Sequence, residues 1–376
     1  MHPRAENDEY PTASSGLPSP TRTSTVLVIG MGDMGERLAY RLAEGGRVRR
    51  LVLAGRSTET VEAIAGTAAT ISDGVVEPVT VNATRQDEVA GLLTHTRPDL
   101  VVQCAAVRGP WSLAGRKDAA ASALLRAGLA LQLPYQLPVL LAVMRATREA
   151  GYTGPVANLS FPDVTGPILA QLGLAPTLGL GNAAMIQLRC RAALRAARPD
   201  AGVPLIRVIG HHSQLLGTML SREPADPANR CRVFLGEDGR RADKLAYQAP
   251  SIMRTQRYNE VTAAATIPTL HALLPGAAPL RCSAAAPGGL PGGYPVRIDG
   301  GTVSLDLPPG VDRAESIAFN EKQARGDGVE HIDNEGTVHF TSEARNAVAD
   351  FAPGLADPLP VADLEQRARH LDALLA

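Results

Sequence analysis

The sequence predicts an α/β fold, a doubly wound parallel sheet followed by an α+β region with antiparallel hairpins, and three observations predict it. A short apolar, β-branched run at residues 25–29 ends in a glycine turn and passes directly into a helical pattern at 36–42. Further β-branched runs then alternate with segments of helix length, the signature of parallel strands joined by right-handed crossovers. Beyond residue 158 the alternation stops, Gly and Pro clusters multiply, and short apolar runs flank turn residues instead.

Each element follows from its residues. Residues 1–22 carry Pro, Ser, Thr, Glu and Asp with few large apolar side chains, so a flexible tail is expected there. Strands are expected at 25–29, 51–54, 75–81, 100–104 and 156–159, with helices at 36–42, 86–94 and 137–149 and an Ala- and Leu-rich segment at 119–133. The second half reads as a helix at 183–197, a strand at 205–209 and a long helix at 256–274 that Pro268 should kink or divide. Hairpins are expected at 296–307, turning at Asp299, Gly300 and Gly301, and at 329–340, turning at Asn334, Glu335 and Gly336. Helices at 313–323 and 362–375 close the chain.

A chain of 376 residues has room for two domains with a substantial core. Aromatic residues make up only 3%, so that core is packed from Ala, Val, Leu and Ile, and stacking platforms for single-stranded nucleic acid are not expected. Lys plus Arg number 37 against 38 for Asp plus Glu, and the net charge of −1 offers no broad field for a polyanion or an anionic membrane. The expected partners are a small-molecule substrate and further copies of the chain. Cys104, Cys190, Cys231 and Cys282 form neither a CxxC pair nor a dense framework, so reduced structural thiols are expected and no metal site. No run of 18 apolar residues occurs and residues 1–22 lack the apolar centre of a signal peptide, which makes the cytoplasm the expected location.

Gly30-Met31-Gly32-Asp33-Met34-Gly35 fits GxGxxG in the context that gives the pattern meaning, after an apolar strand and at the opening of a helix. Gly30 would allow the tight turn, Gly32 the close approach of backbone to a pyrophosphate, and Gly35 the packing of helix on strand. The free N–H groups of the helix start would hold the phosphates. This is the Rossmann arrangement, and it divides the chain into a tail at 1–22, a dinucleotide-binding domain at 23–158 and a substrate domain at 159–376. About 20 residues on, where an acid would hold the 2′-hydroxyl of NAD, the sequence reads Ala54-Gly55-Arg56-Ser57. Arg56 and Ser57 suit a 2′-phosphate instead, which favours NADP with NAD as the alternative. Ala105, at the carboxyl end of the strand at 100–104, is expected against the cofactor as well.

Several segments, in one order, resemble the lactate and malate dehydrogenase superfamily: residues 101–108, Val156-Ala-Asn-Leu-Ser-Phe-Pro-Asp163, Gly179-Leu-Gly-Asn182 with the helix after it, and Val208-Ile-Gly-His-His-Ser213. The resemblance implies a dimer or tetramer and a catalytic histidine at His212, whose unperturbed pKa near 6.5 suits proton exchange with an alcohol or carbonyl. It also places Arg108, Arg116 and Asn182 near the substrate. The pattern is incomplete. Met185 stands where the family carries the Asp that orients the histidine, and Leu188, with Arg189 beside it, where the family carries its carboxylate-binding Arg. Phe161 falls near the family's loop Asn, which Asn158 precedes by three. The Leu-Ala-Gly-Arg-Ser strand end of residues 53–57 resembles the nucleotide-binding half of saccharopine dehydrogenases, which implies reduction of a C=O or C=N bond with NADPH.

The expected function is that of an NADP-dependent oxidoreductase acting on a small carbonyl, hydroxy or imine compound. Two alternatives stand beside it: a dinucleotide sensor without turnover, and an enzyme resembling NAD-dependent glycosidases, which needs a metal-binding Cys and His near the turn at 179–182 that the sequence lacks there. The glycine-rich stretch at 288–295 reads as a turn before a hairpin, with Tyr294 its one side chain capable of acid–base work.

Overall fold

The computed structural model describes residues 24–252, 255–350 and 352–376, with the side chain of residue 256 left aside. The tail expected at 1–22 lies outside these residues. The first half alternates strand and helix throughout: β1 (Ser24–Ile29), α1 (Asp33–Glu44), β2 (Val48–Gly55), α2 (Thr58–Ile71), β3 (Val75–Thr80), α3 (Gln86–Thr96), β4 (Leu100–Gln103), α4 (Ala119–Ala127), α5 (Leu133–Glu149), β5 (Val156–Asn158), α6 (Pro162–Gln171) and β6 (Leu178–Gly179).

These six strands lie parallel in the order β3-β2-β1-β4-β5-β6. Strand order reverses between β1 and β4, so the crevice at their carboxyl ends is where an open sheet of this kind takes a ligand. Burial on both faces explains the unbroken apolar sequence of β1. Leu27 and Ile29 face one core with α3 and α5, while Val26 and Val28 face the other with α1 and α2. Pro78 is tolerated inside β3 because that strand is the sheet edge.

The second half contains α7 (Asn182–Ala197), β7 (Ile206–Ile209), α8 (His212–Met219), β8 (Arg232–Leu235), β9 (Arg240–Arg241), α9 (Asn259–Ala272), β10 (Leu280–Ala285), β11 (Gly293–Asp299), β12 (Thr302–Leu305), α10 (Arg313–Ala324), β13 (Val329–Ile332), β14 (Val338–Phe340), α11 (Ser342–Val348) and α12 (Leu364–Leu375). The sheet continues past Asn158: β10 joins β6 antiparallel through Ala285 and Gly179, and β11 and β12 extend it to nine strands. Strands β7, β8 and β9 form a separate three-stranded sheet, and β13 pairs with β14.

Both expected hairpins form. Gly300 and Gly301 have φ of 56° and 81°, the positive pair that a tight hairpin requires. The Ala- and Leu-rich segment at 119–133 divides at Gly128 (φ 100°), where a Cβ would sit 2.3 Å from the Asp327 carbonyl carbon. The proline in α9 has the opposite outcome. Pro268 lies inside one continuous helix, held by the buried Thr266, Thr269 and Leu270 on either side of it. Helices α11 and α12 return to pack on α4 and α5. The stretch Leu129–Glu149 is long and apolar enough by composition to cross a membrane, but 83% of its most apolar window is buried inside the fold.

Candidate functional site

The glycine turn owes its shape to contacts that exclude side chains. Gly30 has φ of 103°, and a Cβ there would lie 2.6 Å from the backbone nitrogen of Ala105 on the neighbouring strand end. At Gly35 a Cβ would lie 1.8 Å from the Gly30 oxygen, so helix and strand touch directly. Gly32 differs: a Cβ added there would meet nothing within 4 Å. It caps α1 without a side-chain hydrogen bond, so bare backbone N–H groups at a helix start face open space. That space is a cavity of about 810 Å³ lined by Gly30, Met31, Gly32, Asp33 and Met34, with Gly35 behind the wall. The Asp33 carboxylate is engaged by Arg37 (2.8 Å) and by Asn259 Nδ2 (2.6 Å). Burial opposes its ionisation, but these two partners hold it below the ordinary carboxylate range.

Just after β2, Arg56 and Ser57 join the lining, together with Thr60, Asn82 and Thr84. Ser57 caps α2, accepting from the Thr60 N–H (3.2 Å) and the Thr60 hydroxyl (2.9 Å). Its own proton is therefore left for an acceptor. Arg56 is exposed. A guanidinium and a hydroxyl at a helix start fit a 2′-phosphate, and the bare turn at Gly32 fits a pyrophosphate.

His212, the first residue of α8, lines the same cavity. His211 caps this helix, accepting from the Ser213 N–H, while Gln214 reaches back to the His211 N–H at 2.9 Å. The His212 Nδ1 lies 2.9 Å from both carboxylate oxygens of Asp327. Asp327 belongs to the Gly326-Asp327-Gly328 turn after α10, well removed in sequence from Met185. Burial alone would raise the Asp327 carboxyl, but the charges of His212 and His211 and their hydrogen bonds hold it well below the usual range. A second buried carboxylate, Asp163, accepts the His212 backbone N–H (2.5 Å) and Asn182 Nδ2 (3.0 Å). Burial raises its carboxyl, and its Oδ1 has no partner among the described residues.

Phe161 stands beside His212, with ring centroids 5.2 Å apart in an edge arrangement. Its left-handed backbone (φ 46°) is a conformation that costs a non-glycine residue about 1 kcal/mol or more, and it aims the following Pro162 into α6. Ser160, next to it, donates to the Gln136 carbonyl at 2.8 Å. Gln132 also lines the cavity, 3% exposed, and its Oε1 lacks a partner among the described residues.

The cavity brings Asn182 and Ala105 together with the glycine turn and His212. Arg108 and Arg116 do not line it. Arg108 pairs with Asp372 at 2.9 Å, and Arg116 donates to the Leu375 carbonyl at 2.7 Å, so both hold the C-terminal helix. Arg189 is buried on the carbonyls of Thr218, Ala249 and Pro250 and on the Ser221 hydroxyl. Tyr294 is fully buried and donates to the Pro291 carbonyl at 2.7 Å. The four cysteines are free, and burial pushes the Cys104 and Cys231 thiols up to about 12 and that of Cys282 to about 11. Among the described residues, no group of three or more His, Cys, Asp or Glu side chains is placed to hold a metal ion. Asp327, Asp163 and Gln132 are residues at or beside the cavity that sequence reasoning did not single out. The one local signal is the glycine on each side of Asp327, which marks a backbone that other segments approach closely.

Residues 26–109 match the saccharopine dehydrogenase NADP-binding domain family. No curated protein matches the sequence. Among solved structures, a lactate dehydrogenase from Eimeria maxima with NADH and oxamate is 13% identical over 82% of this chain and 92% of that one, with a TM-score of 0.49. The minor L-lactate dehydrogenase of Enterococcus mundtii is 17% identical over 81% and 96%, with a TM-score of 0.46. A lactate dehydrogenase enzyme from a Medee basin deep-sea metagenome library is 14% identical over 81% and 99%, with a TM-score of 0.48. The likeness of residues 26–109 is therefore to a dinucleotide-binding domain, the NADP-binding domain of saccharopine dehydrogenases.

Proposed function

We propose that the protein interconverts a carbonyl compound and its alcohol with NADP, His212 exchanging the proton on oxygen. The observation that carries this reading is that His212, locked on Asp327, lines the same cavity as the bare glycine turn and Arg56. NADP, when bound, supplies or accepts the hydride; every other requirement falls to the chain. The turn at residues 30–35 holds the pyrophosphate, and Arg56 and Ser57 hold the 2′-phosphate. Asp327 fixes the imidazole through Nδ1, so proton exchange falls to Nε2. The buried negative charge of Asp327 stabilises the imidazolium that forms when an alcohol is oxidised. Phe161 packs against the ring in an edge arrangement.

The test is NADPH consumption against a panel of aldehydes, ketones and imines. His212→Ala is expected to lower turnover roughly 10²- to 10⁴-fold and to leave the NADPH dissociation constant unchanged. Unchanged turnover would remove His212 from the reaction. NADPH binding without turnover on any carbonyl or imine would favour a sensor.

A further inference from the structure

The described residues expose five large hydrophobic side chains, and three of them, Val107 (38%), Leu125 (43%) and Leu216 (38%), line the cavity that contains His212. They come from three separate elements: the loop after β4, α4 and α8. Leu216 is four residues beyond His212, so both project from one face of α8. Leu125 lies one turn before Gly128, whose close approach to Asp327 fixes α4 against the histidine's partner. Trp111, the single tryptophan, lines the cavity next to Val107 and donates to Asn259 at 3.3 Å. Scattered exposed apolar residues need no explanation, but three converging on one mouth do.

We propose that this mouth binds the hydrocarbon part of the substrate. It assigns the chain to carbonyl compounds bearing an extended alkyl or aryl group rather than to the smallest hydroxy and oxo acids. The inference rests on the reading of His212 as the proton-exchanging group, because that reading places the reacting carbonyl at the inner end and the tail at Val107, Leu125 and Leu216. Continuity with the histidine's cavity favours a substrate tail as occupant over a second copy of the chain.

The experiment uses straight-chain primary amides, propanamide to heptanamide, as unreactive carbonyl probes. Binding to the full chain is followed by titration calorimetry with Trp111 emission as a second readout, with and without NADP⁺. Affinity is expected to rise about fourfold for each methylene that enters the mouth, the equivalent of about 0.8 kcal/mol. In a Leu125→Ser, Leu216→Ser double variant the heptanamide affinity is expected to fall about tenfold, with NADP⁺ and propanamide affinities unchanged. Both residues are partly exposed, and sedimentation and circular dichroism check that the variant folds. Affinity independent of chain length, or an equal slope in the variant, overturns the proposal. So does a wild-type dimer that the double variant dissociates and that binds no amide, since the mouth then belongs to a second copy. Length-dependent binding without NADPH turnover sustains the mouth and sinks the redox reading; His212-dependent turnover without length dependence does the reverse.

Discussion

Asp327 reaches His212 across 115 positions of chain and meets its Nδ1 with both carboxylate oxygens at 2.9 Å. The pairing fixes ring orientation and tautomer together. In Asp327→Asn the amide oxygen still accepts the Nδ1–H, but the charge that favours the imidazolium is gone. The expected outcome is a loss in kcat of roughly 10²- to 10⁴-fold, the range open to a general acid–base group that loses its working tautomer or charge, with NADPH affinity unchanged in a fluorescence titration. Equal turnover in wild type and variant would show that the carboxylate is there for packing alone.

In the proposed reading, Arg56 makes a charge-assisted bond that only NADP can use. Removing it in Arg56→Ala should cost about 1.5 to 3 kcal/mol, which is roughly tenfold to a hundredfold in NADPH affinity, and leave NADH binding where it was. The same pair of titrations repeated at rising ionic strength should narrow the gap between the cofactors in the wild type but not in the variant. Loss of both cofactors alike would place Arg56 in the fold rather than on the 2′-phosphate.

Much of this arrangement was legible in the sequence because it is local. The strand, glycine turn and helix at 24–44 occupy consecutive residues, and each hairpin announces itself by the two or three residues of its turn. His212 was singled out by the resemblance of Val208-Ile-Gly-His-His-Ser213 to a family segment, and the fold puts it in the lining of the cavity. Asp327 was not, because nothing near residue 327 encodes a contact with residue 212; the pairing exists only once α10 has docked. The break at Gly128 has the same origin, since it answers the approach of the Asp327 turn rather than any helix signal in α4. Arg108 and Arg116 sit in a loop that the lactate and malate dehydrogenase likeness places over substrate, yet they are drawn to Asp372 and Leu375 on a helix more than 250 residues downstream of either. Phe161 was read as a lost Asn, whereas its left-handed backbone and its ring on His212 give it a role of its own.

Asp163 and Asp327 bracket the histidines with opposite pH signatures. Burial raises the Asp163 carboxyl, against the opposing fields of His211 and His212. A raised group binds its proton more tightly in the folded state, so its contribution is greatest below the unfolded value of about 3.9 and declines as pH rises through the folded one. Asp327 runs the other way: its depressed carboxyl contributes stability above about 4 that is lost as pH falls through the folded value. Asp163→Asn keeps an oxygen for the His212 N–H and for Asn182. Its Tm relative to wild type should therefore climb as pH rises from about 4, while that of Asp327→Asn should drop as pH rises towards about 4 and stay level above it. A flat difference for Asp163→Asn across the scan would mean that its carboxyl does not titrate in that window.

The two ends of the glycine motif separate folding from cofactor binding. At Gly35 the added methyl of Gly35→Ala would have to share space with the Gly30 oxygen, since a Cβ lies 1.8 Å from it and both atoms belong to rigid elements. Overpacking of this kind costs about 1 to 3 kcal/mol or more, so a large fall in Tm is expected, with weakened NADPH binding as a consequence of the displaced helix. At Gly32 the same methyl meets nothing within 4 Å. Gly32→Ala should fold, losing no more than the roughly 1 kcal/mol that separates Gly from Ala at a helix cap. It should nevertheless bind NADPH at least about tenfold more weakly, because the methyl occupies the space through which the pyrophosphate reaches the helix N–H groups. Thermal melts and cofactor titrations on the two variants read these effects independently. Wild-type NADPH affinity in Gly32→Ala would mean that no phosphate approaches this turn, and the cofactor would have to lie elsewhere in the cleft.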